Sequence, residues 1–416
     1  MIRAFVKHAT AATLLTHTDT PSPYERAVGF HAWAALVRLF GLMQMALLTS
    51  FLYVSPADAV CYVLFTVDVE TRSIGTPNSD IWGILPGETE RHGIERMMDI
   101  LDQHGVKGTF FVNVYEAPKH GSEAMREVCC VIHQRGHDLE LHTHPKPMFG
   151  VSYMQMTDLA AQTQILARGK SMIREWTGVD VVAHRAGSYM ANFDTVRACG
   201  QAGIPVECSY NIVWSASDLG RAGLTQNAPV VYEGVLVVPV SAYVQASVGG
   251  WRSMRFLDIE SSSPDEIRRV VSELKGHDVR TAVIMMHSFS FVRFGKPNLR
   301  AENSLEKVLD AFALDPDVRI VTARQLHDIW RANPGALQGG DYLPTTGWWM
   351  TYCRAWQRLD EGWKNVAVAA APPATLALVG SIGGLVWRRR RRRAVAARIA
   401  RAAETRPDGR RSSHGC

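Results

Sequence analysis

The 416-residue chain lacks several common signatures, and each absence removes a class of protein. Its seven cysteines contain no CxxC pair, so a thiolate zinc site or a thioredoxin-type redox motif is not expected. Their odd, sparse distribution implies no disulfide framework; a single bridge stays open and unassigned. No internal repeat is apparent. Charged residues make up 20% and apolar ones 47%, an ordinary globular composition and not that of a disordered or collagen-like chain. A basic surface spread over the whole chain is also missing. Eleven arginines lie between Arg388 and Arg411, exceeding Glu404 and Asp408 by nine. With a total of +5, the rest of the chain is therefore four charges negative. The body is slightly acidic and the tail is a basic arm, which removes support for a nucleic-acid-binding body.

Long charge-free runs are few, and two have the character of membrane segments. Leu39–Val54 follows Arg38 and precedes Ala57-Asp58-Ala59, the positive, apolar, small-residue order of a signal peptide. It begins late in the chain, so it reads as a cleaved signal, an uncleaved anchor or a buried helix. Val366–Trp387 is free of charge and long enough to cross a hydrocarbon layer of ~30 Å. Arg388 to Arg393 follow it directly, and basic flanks stay cytoplasmic. The order of the two segments places the middle of the chain on the far side of the membrane. Pro372-Pro373 and the alanines weaken the second segment as a helix, leaving a linker as the alternative reading. The string from Pro373 through the apolar run to the arginines resembles bacterial sorting tails built on Pro-Glu-Pro, with the Glu missing.

Between these segments, short apolar runs alternate with helical periodicity. Tyr62–Val67, Gly108–Val114, Asp138–Leu141, Val181–Ala183, Thr281–Met286 and Val318–Val321 read as strands. Ile94, Met97, Met98 and Leu101 share one helix face, as do Ile267, Val270, Val271 and Leu274. Near-continuous apolar strands alternating with helices predict a parallel sheet covered by helices. About seven such units over roughly 270 residues favour a barrel. Residues 336–365, with Trp348, Trp349, Trp356 and Trp363, read as a stalk or an interfacial belt.

Chemistry in parallel barrels gathers at the carboxyl ends of strands. Those ends carry Asp68-Val69-Glu70, His142-Thr143-His144, His184-Arg185-Ala186-Gly187-Ser188-Tyr189, Glu207 to Asn211, and His287-Ser288. Each alone is weak. Acids at strand ends are commonly solvated, an HxH pair is a frequent accident, and His287 could be a core histidine. Falling at successive strand ends, they point together to a divalent metal, zinc above all, with acid and base groups beside it.

The strings FTVDVE (Phe65–Glu70), GVKGTFFV (Gly105–Val112), RGHDLELHTHP (Arg135–Pro145), HRAGSY (His184–Tyr189) and MMHSFS (Met285–Ser290) resemble the polysaccharide deacetylases, carbohydrate esterase family 4. The resemblance spans roughly Cys61 to Trp330 and implies an α/β fold, a distorted (β/α)7 barrel. It also implies a divalent metal and hydrolysis of N-acetyl groups from a glycan. It makes Asp68 the general base and Glu70, His142 and His144 the metal ligands. Arg185 would orient the base, Tyr189 would lie near the oxyanion, and His287 would be the general acid. Two departures stand out. Val69 separates acids that are usually adjacent, so Asp68 and Glu70 could exchange roles. The histidines are two apart where four is usual, and Lys146 occupies the usual place of the second.

The expected organisation is an N-terminal extension with signal or anchor (1–60), a catalytic domain (61–335), a Trp-containing stalk (336–365), a transmembrane helix (366–387) and a basic cytoplasmic tail (388–416). The expected activity is metal-dependent deacetylation of an N-acetylated polysaccharide outside the cytoplasm, with the membrane as a partner and no nucleic acid. The alternatives are a glycan-binding barrel that has lost catalysis and an allantoinase-like amidohydrolase acting on a small amide.

Overall fold

The computed structural model describes residues 60–248, 251–359 and 365–366. The segments expected to meet the membrane, 39–54 and all of 366–387 but Val366, and the arginine tail lie outside them. Among the described residues no helix is long and apolar enough to cross a membrane.

The first strand, β1 (Cys61–Val69), is buried at all but one position. That is the pattern of a parallel strand covered on both faces. The next strands are β2 (Thr109–Val112), β3 (Asp138–Thr143), β4 (Ala183–Ala186) and β5 (Val206–Glu207). A hairpin follows, β6 (Val230–Tyr232) and β7 (Val235–Val237). It turns through Glu233 and Gly234, both at positive φ as a tight two-residue hairpin requires. A second hairpin is β8 (Ala242–Val248) and β9 (Trp251–Phe256), and β10 (Thr281–His287) returns to the sheet. β11 (Val292–Arg293) and β12 (Lys296–Pro297) form a minimal ribbon, and β13 (Val318–Ile320) pairs with the start of β1.

The longer helices are α1 (Ile94–Gln103), α2 (Ser122–Gln134), α3 (Leu159–Thr177), α4 (Phe193–Gln201), α5 (Pro264–Gly276), α6 (Leu299–Ala313), α7 (Ala323–Ala332) and α8 (Gly347–Gln357). Side chains of Asp158, Ser263 and Thr322 cap α3, α5 and α7, each accepting from a free backbone N–H in the first turn.

Seven parallel strands run in the order β10-β1-β2-β3-β4-β5-β7, with β6 antiparallel at the far edge. The expected distorted barrel is a curled half-barrel sheet: among the described residues no ladder joins β10 to β7. Pro239, which has no N–H to donate, follows just after β7. The seam is bridged instead by single bonds, Val283 N to Ser241 Oγ (2.9 Å) and Met285 N to Leu257 O (3.0 Å).

Strand alternation sorts side chains between the two faces. On the inner face, Leu64, Phe111, Ala183, Val206, Leu236 and Val283 from six strands make one apolar cluster. The outer face packs against α1 to α6 in the larger core. Two residues further along the same inner rows come Thr66, Arg185 and Met285, and then Asp68 and His287. The sheet thus delivers its polar residues above an apolar plug. All six described cysteines are free thiols. Residues assigned to a stalk return to the body: Thr346 N donates to Val244 O, and the Thr351 hydroxyl of α8 donates to Gln245 O.

Candidate metal and catalytic site

Glu70, His142 and His144 converge, with one ligand atom from each lying within 4.8 Å of the others. Glu70 Oε2 is 2.6 Å from His144 Nε2 and 3.4 Å from His142 Nε2. The spacing of two works because these histidines sit at the end of a strand, where i and i+2 share a face. His142 is the last inner-face residue of β3, and His144 continues that row just past the strand. Lys146 begins a short exposed turn of helix and takes no part.

Burial alone would raise the Glu70 carboxyl, but the two imidazoles overcome it and hold the group well below the usual carboxylate range. Burial likewise opposes a proton on His144, and Glu70 more than offsets it, raising that histidine. His142 is 1% exposed, and neither of its ring nitrogens has a hydrogen-bond partner. A buried imidazole with unsatisfied nitrogens, beside a second imidazole and a carboxylate, is a donor set that fits a divalent cation.

Asp68 lies one inner-face step before Glu70 and pairs in register with His287. Its Oδ1 accepts from Arg185 Nη1 at 2.7 Å. Arg185 is fully buried. It also donates to the Thr66 hydroxyl (3.0 Å) and the Cys208 carbonyl (3.2 Å), and its guanidinium lies over the Phe111 ring at 4.4 Å. These contacts fix the guanidinium, and with it the Asp68 carboxylate.

His287 Nε2 is 4.0 Å from Glu70 Oε1, and its Nδ1 is 3.6 Å from Glu260 Oε1. Phe289 stacks on its ring at 4.7 Å, and Arg72 lies over Phe289 at 5.1 Å. Sequence reasoning did not find Glu260, which stands in the irregular stretch before α5. Tyr189 follows a turn in which Ser188 (φ 53°) and Tyr189 (φ 56°) are both left-handed, a conformation L residues adopt at a cost. The Tyr189 ring packs against Trp214 and Phe256, and its hydroxyl is buried without a partner. Trp214 is partly exposed. It borders the site through Tyr189.

Gly187 faces His144 so closely that a Cβ there would overlap the imidazole. Behind this turn, Ala186 N donates to Ser209 Oγ (2.7 Å). Ser209 is in turn held by Glu207, which lies beside the buried His184.

A curled parallel sheet carries at its carboxyl edge an acid–imidazole triad able to hold a divalent ion, a buried Asp–Arg pair and a further histidine, groups able to take and give a proton. Residues 84–206 match the family described as polysaccharide deacetylase, whose members are hydrolases acting on amide bonds. The matched stretch contains His142, His144, Arg185 and Tyr189. No curated protein matches. Among solved structures, the chain is similar to a Mycobacterium smegmatis protein assigned by name to the polysaccharide deacetylases, at 21% identity, covering 69% of this chain and 95% of that one, TM-score 0.47. It is also similar to a family 4 carbohydrate esterase from Streptomyces lividans in complex with acetate, at 14% identity, covering 68% and 98%, TM-score 0.36. A third is a family 4 pseudoenzyme from Bacillus anthracis, at 13% identity, covering 65% and 66%, TM-score 0.36.

Proposed function

We propose that the protein removes N-acetyl groups from a polysaccharide outside the cytoplasm, tethered to the membrane by the charge-free segments at its two ends. The observation that carries the chemistry is the convergence of Glu70, His142 and His144 beside the Asp68–Arg185 pair and His287, all at one edge of the sheet. The membrane part rests on the charge-free runs and the arginine arm of the sequence.

Glu70, His142 and His144 would hold a divalent ion, zinc being the best match to two imidazoles and a carboxylate. When bound, such an ion supplies Lewis acidity toward water and an amide carbonyl. Asp68 then takes the proton from the attacking water. Arg185 holds that carboxylate in position, since its guanidinium donates to Oδ1 from a fully buried position. This assigns the base to Asp68 and the ligand to Glu70, because Asp68 faces the arginine and Glu70 faces both histidines. The left-handed turn at Ser188 and Tyr189 lies beside the site and would offer backbone N–H groups to the oxyanion. His287 protonates the leaving amine nitrogen, so that acetate and a free amino sugar result.

Full-length protein purified in detergent and loaded with zinc or cobalt should release acetate from a polymer of N-acetylglucosamine. Asp68→Asn should lower the rate on the order of 10²–10⁴-fold. A metal-free, unreactive wild type would rule the reading out.

A further inference from the structure

Two of the three candidate ligands stand just outside the sheet. Glu70 follows the last residue of β1 and His144 follows the last residue of β3, so no strand ladder fixes either one. β2 lies between β1 and β3, and the chain leaving it reaches both. Asn113, the first residue after β2, donates its own N–H to Val69 O at 3.0 Å. Its Oδ1 accepts from the His144 N–H at 3.1 Å, and its Nδ2 donates to Glu116 Oε1, also at 3.1 Å. The same Glu116 oxygen accepts the N–H of Thr71 at 3.0 Å. Both side chains are buried. On the opposite side, Ser288 Oγ donates to Glu70 O at 2.9 Å.

We infer that Asn113 and Glu116 are positioning residues for the metal site, a buried pair that ties the chain on either side of Glu70 to the backbone of His144. This rests on the metal reading given above. The arrangement accounts for a ligand spacing of two. A histidine one residue beyond the strand needs an external acceptor for its N–H, and Asn113 supplies it. Glu116 orients the Asn113 amide, because only with Nδ2 turned to the carboxylate does Oδ1 face His144. Outer partners of this kind typically govern metal affinity by 10–100-fold.

The test is cobalt binding by full-length protein, followed by the visible absorption of the bound ion and by competition with a chelator, with thermal unfolding of the apo form as a check on folding. Asn113→Leu keeps the side chain's size and removes both of its hydrogen bonds. It should weaken cobalt binding by about 10–100-fold and alter the absorption spectrum. Glu116→Ala should do the same and carries the test if Asn113→Leu does not fold. Glu116→Gln keeps an acceptor oxygen and should restore affinity close to wild type. Wild-type affinity and spectrum in Asn113→Leu or Glu116→Ala would overturn the inference while leaving the metal reading intact. A wild type that binds no cobalt would overturn both.

Discussion

At His287 two influences oppose each other. Burial favours the neutral ring; the Glu260 carboxylate beside Nδ1, with the charges of Asp68 and Glu70, favours the imidazolium and raises the group above its ordinary value. A general acid must enter the reaction protonated, so a raised value extends activity to higher pH. Glu260→Gln should lower the His287 pKa and move the alkaline limb of the kcat/KM profile to lower pH. An unmoved limb would mean that Glu260 does not set this proton. Gly187→Ala places a methyl group into the His144 ring, so either the turn or the ligand must shift. Metal affinity is expected to fall by about 10–100-fold, measured by chelator competition, with little change in apo stability. Asp68, Glu70, His142, His144, Arg185 and His287 are legible because each stands within the last two residues of a strand, or just past it, in a run that announces itself. Asn113, Glu116 and Glu260 are not. Their meaning lies in partners 31, 45 and 27 residues away that only the folded chain brings to them.

Strands such as Phe65–Val67 and Ile284–Met286 could be read from the sequence, because burial on both faces leaves uninterrupted apolar runs. The β8–β9 hairpin could not. A register shift between Val244 and Ala246 breaks its two-residue period, and Gln245 is buried where a solvent-facing residue would be expected. The open seam between β10 and β7 was equally hidden, since single bonds to Ser241 and Leu257 leave no periodic trace. At the amino end of the strands, α7 sets the Arg324 side chain against two acids of β3. Arg324 Nε lies 3.2 Å from Asp138 Oδ1, and its Nη2 lies 2.9 Å from Glu140 Oε1. Both acids are buried, and Glu140 is pushed well above the usual carboxylate range, by burial first and then by Asp138. Arg324→Ala would leave two adjacent buried acids without their cation. Stability should drop by about 3 kcal/mol, seen in urea unfolding, with the metal site unaffected. A loss below about 1 kcal/mol would show that backbone donors alone satisfy the pair.

The division of charge gives the whole molecule a slightly acidic body, and the buried histidines make that body sensitive to acid. His137 lies beneath α2 with its side chain fully covered, and its Nδ1 accepts from Gly108 N at 3.1 Å. Burial lowers its pKa to about 4; Asp102 opposes the shift, and Lys107 and Arg135 add to it. His184, fully buried beside Glu207, is shifted in the same direction, again by burial first. In the unfolded chain a histidine takes up its proton near pH 6.5. Between that pH and about 4 the unfolded state therefore binds more protons than the folded state, and stability rises with pH. The contribution of His137 is complete above pH 6.5 and fades as pH falls toward 4, amounting to roughly 3 kcal/mol at most, since each unit is worth about 1.4 kcal/mol. His137→Asn keeps an acceptor for the Gly108 N–H but removes the titrating ring and its edge contact with Phe110. The variant should be less stable than wild type at pH 7, yet lose less stability between pH 6.5 and 4.5, so the two urea midpoints should converge on acidification. Parallel midpoints across that range would show that the acid sensitivity of the fold arises elsewhere.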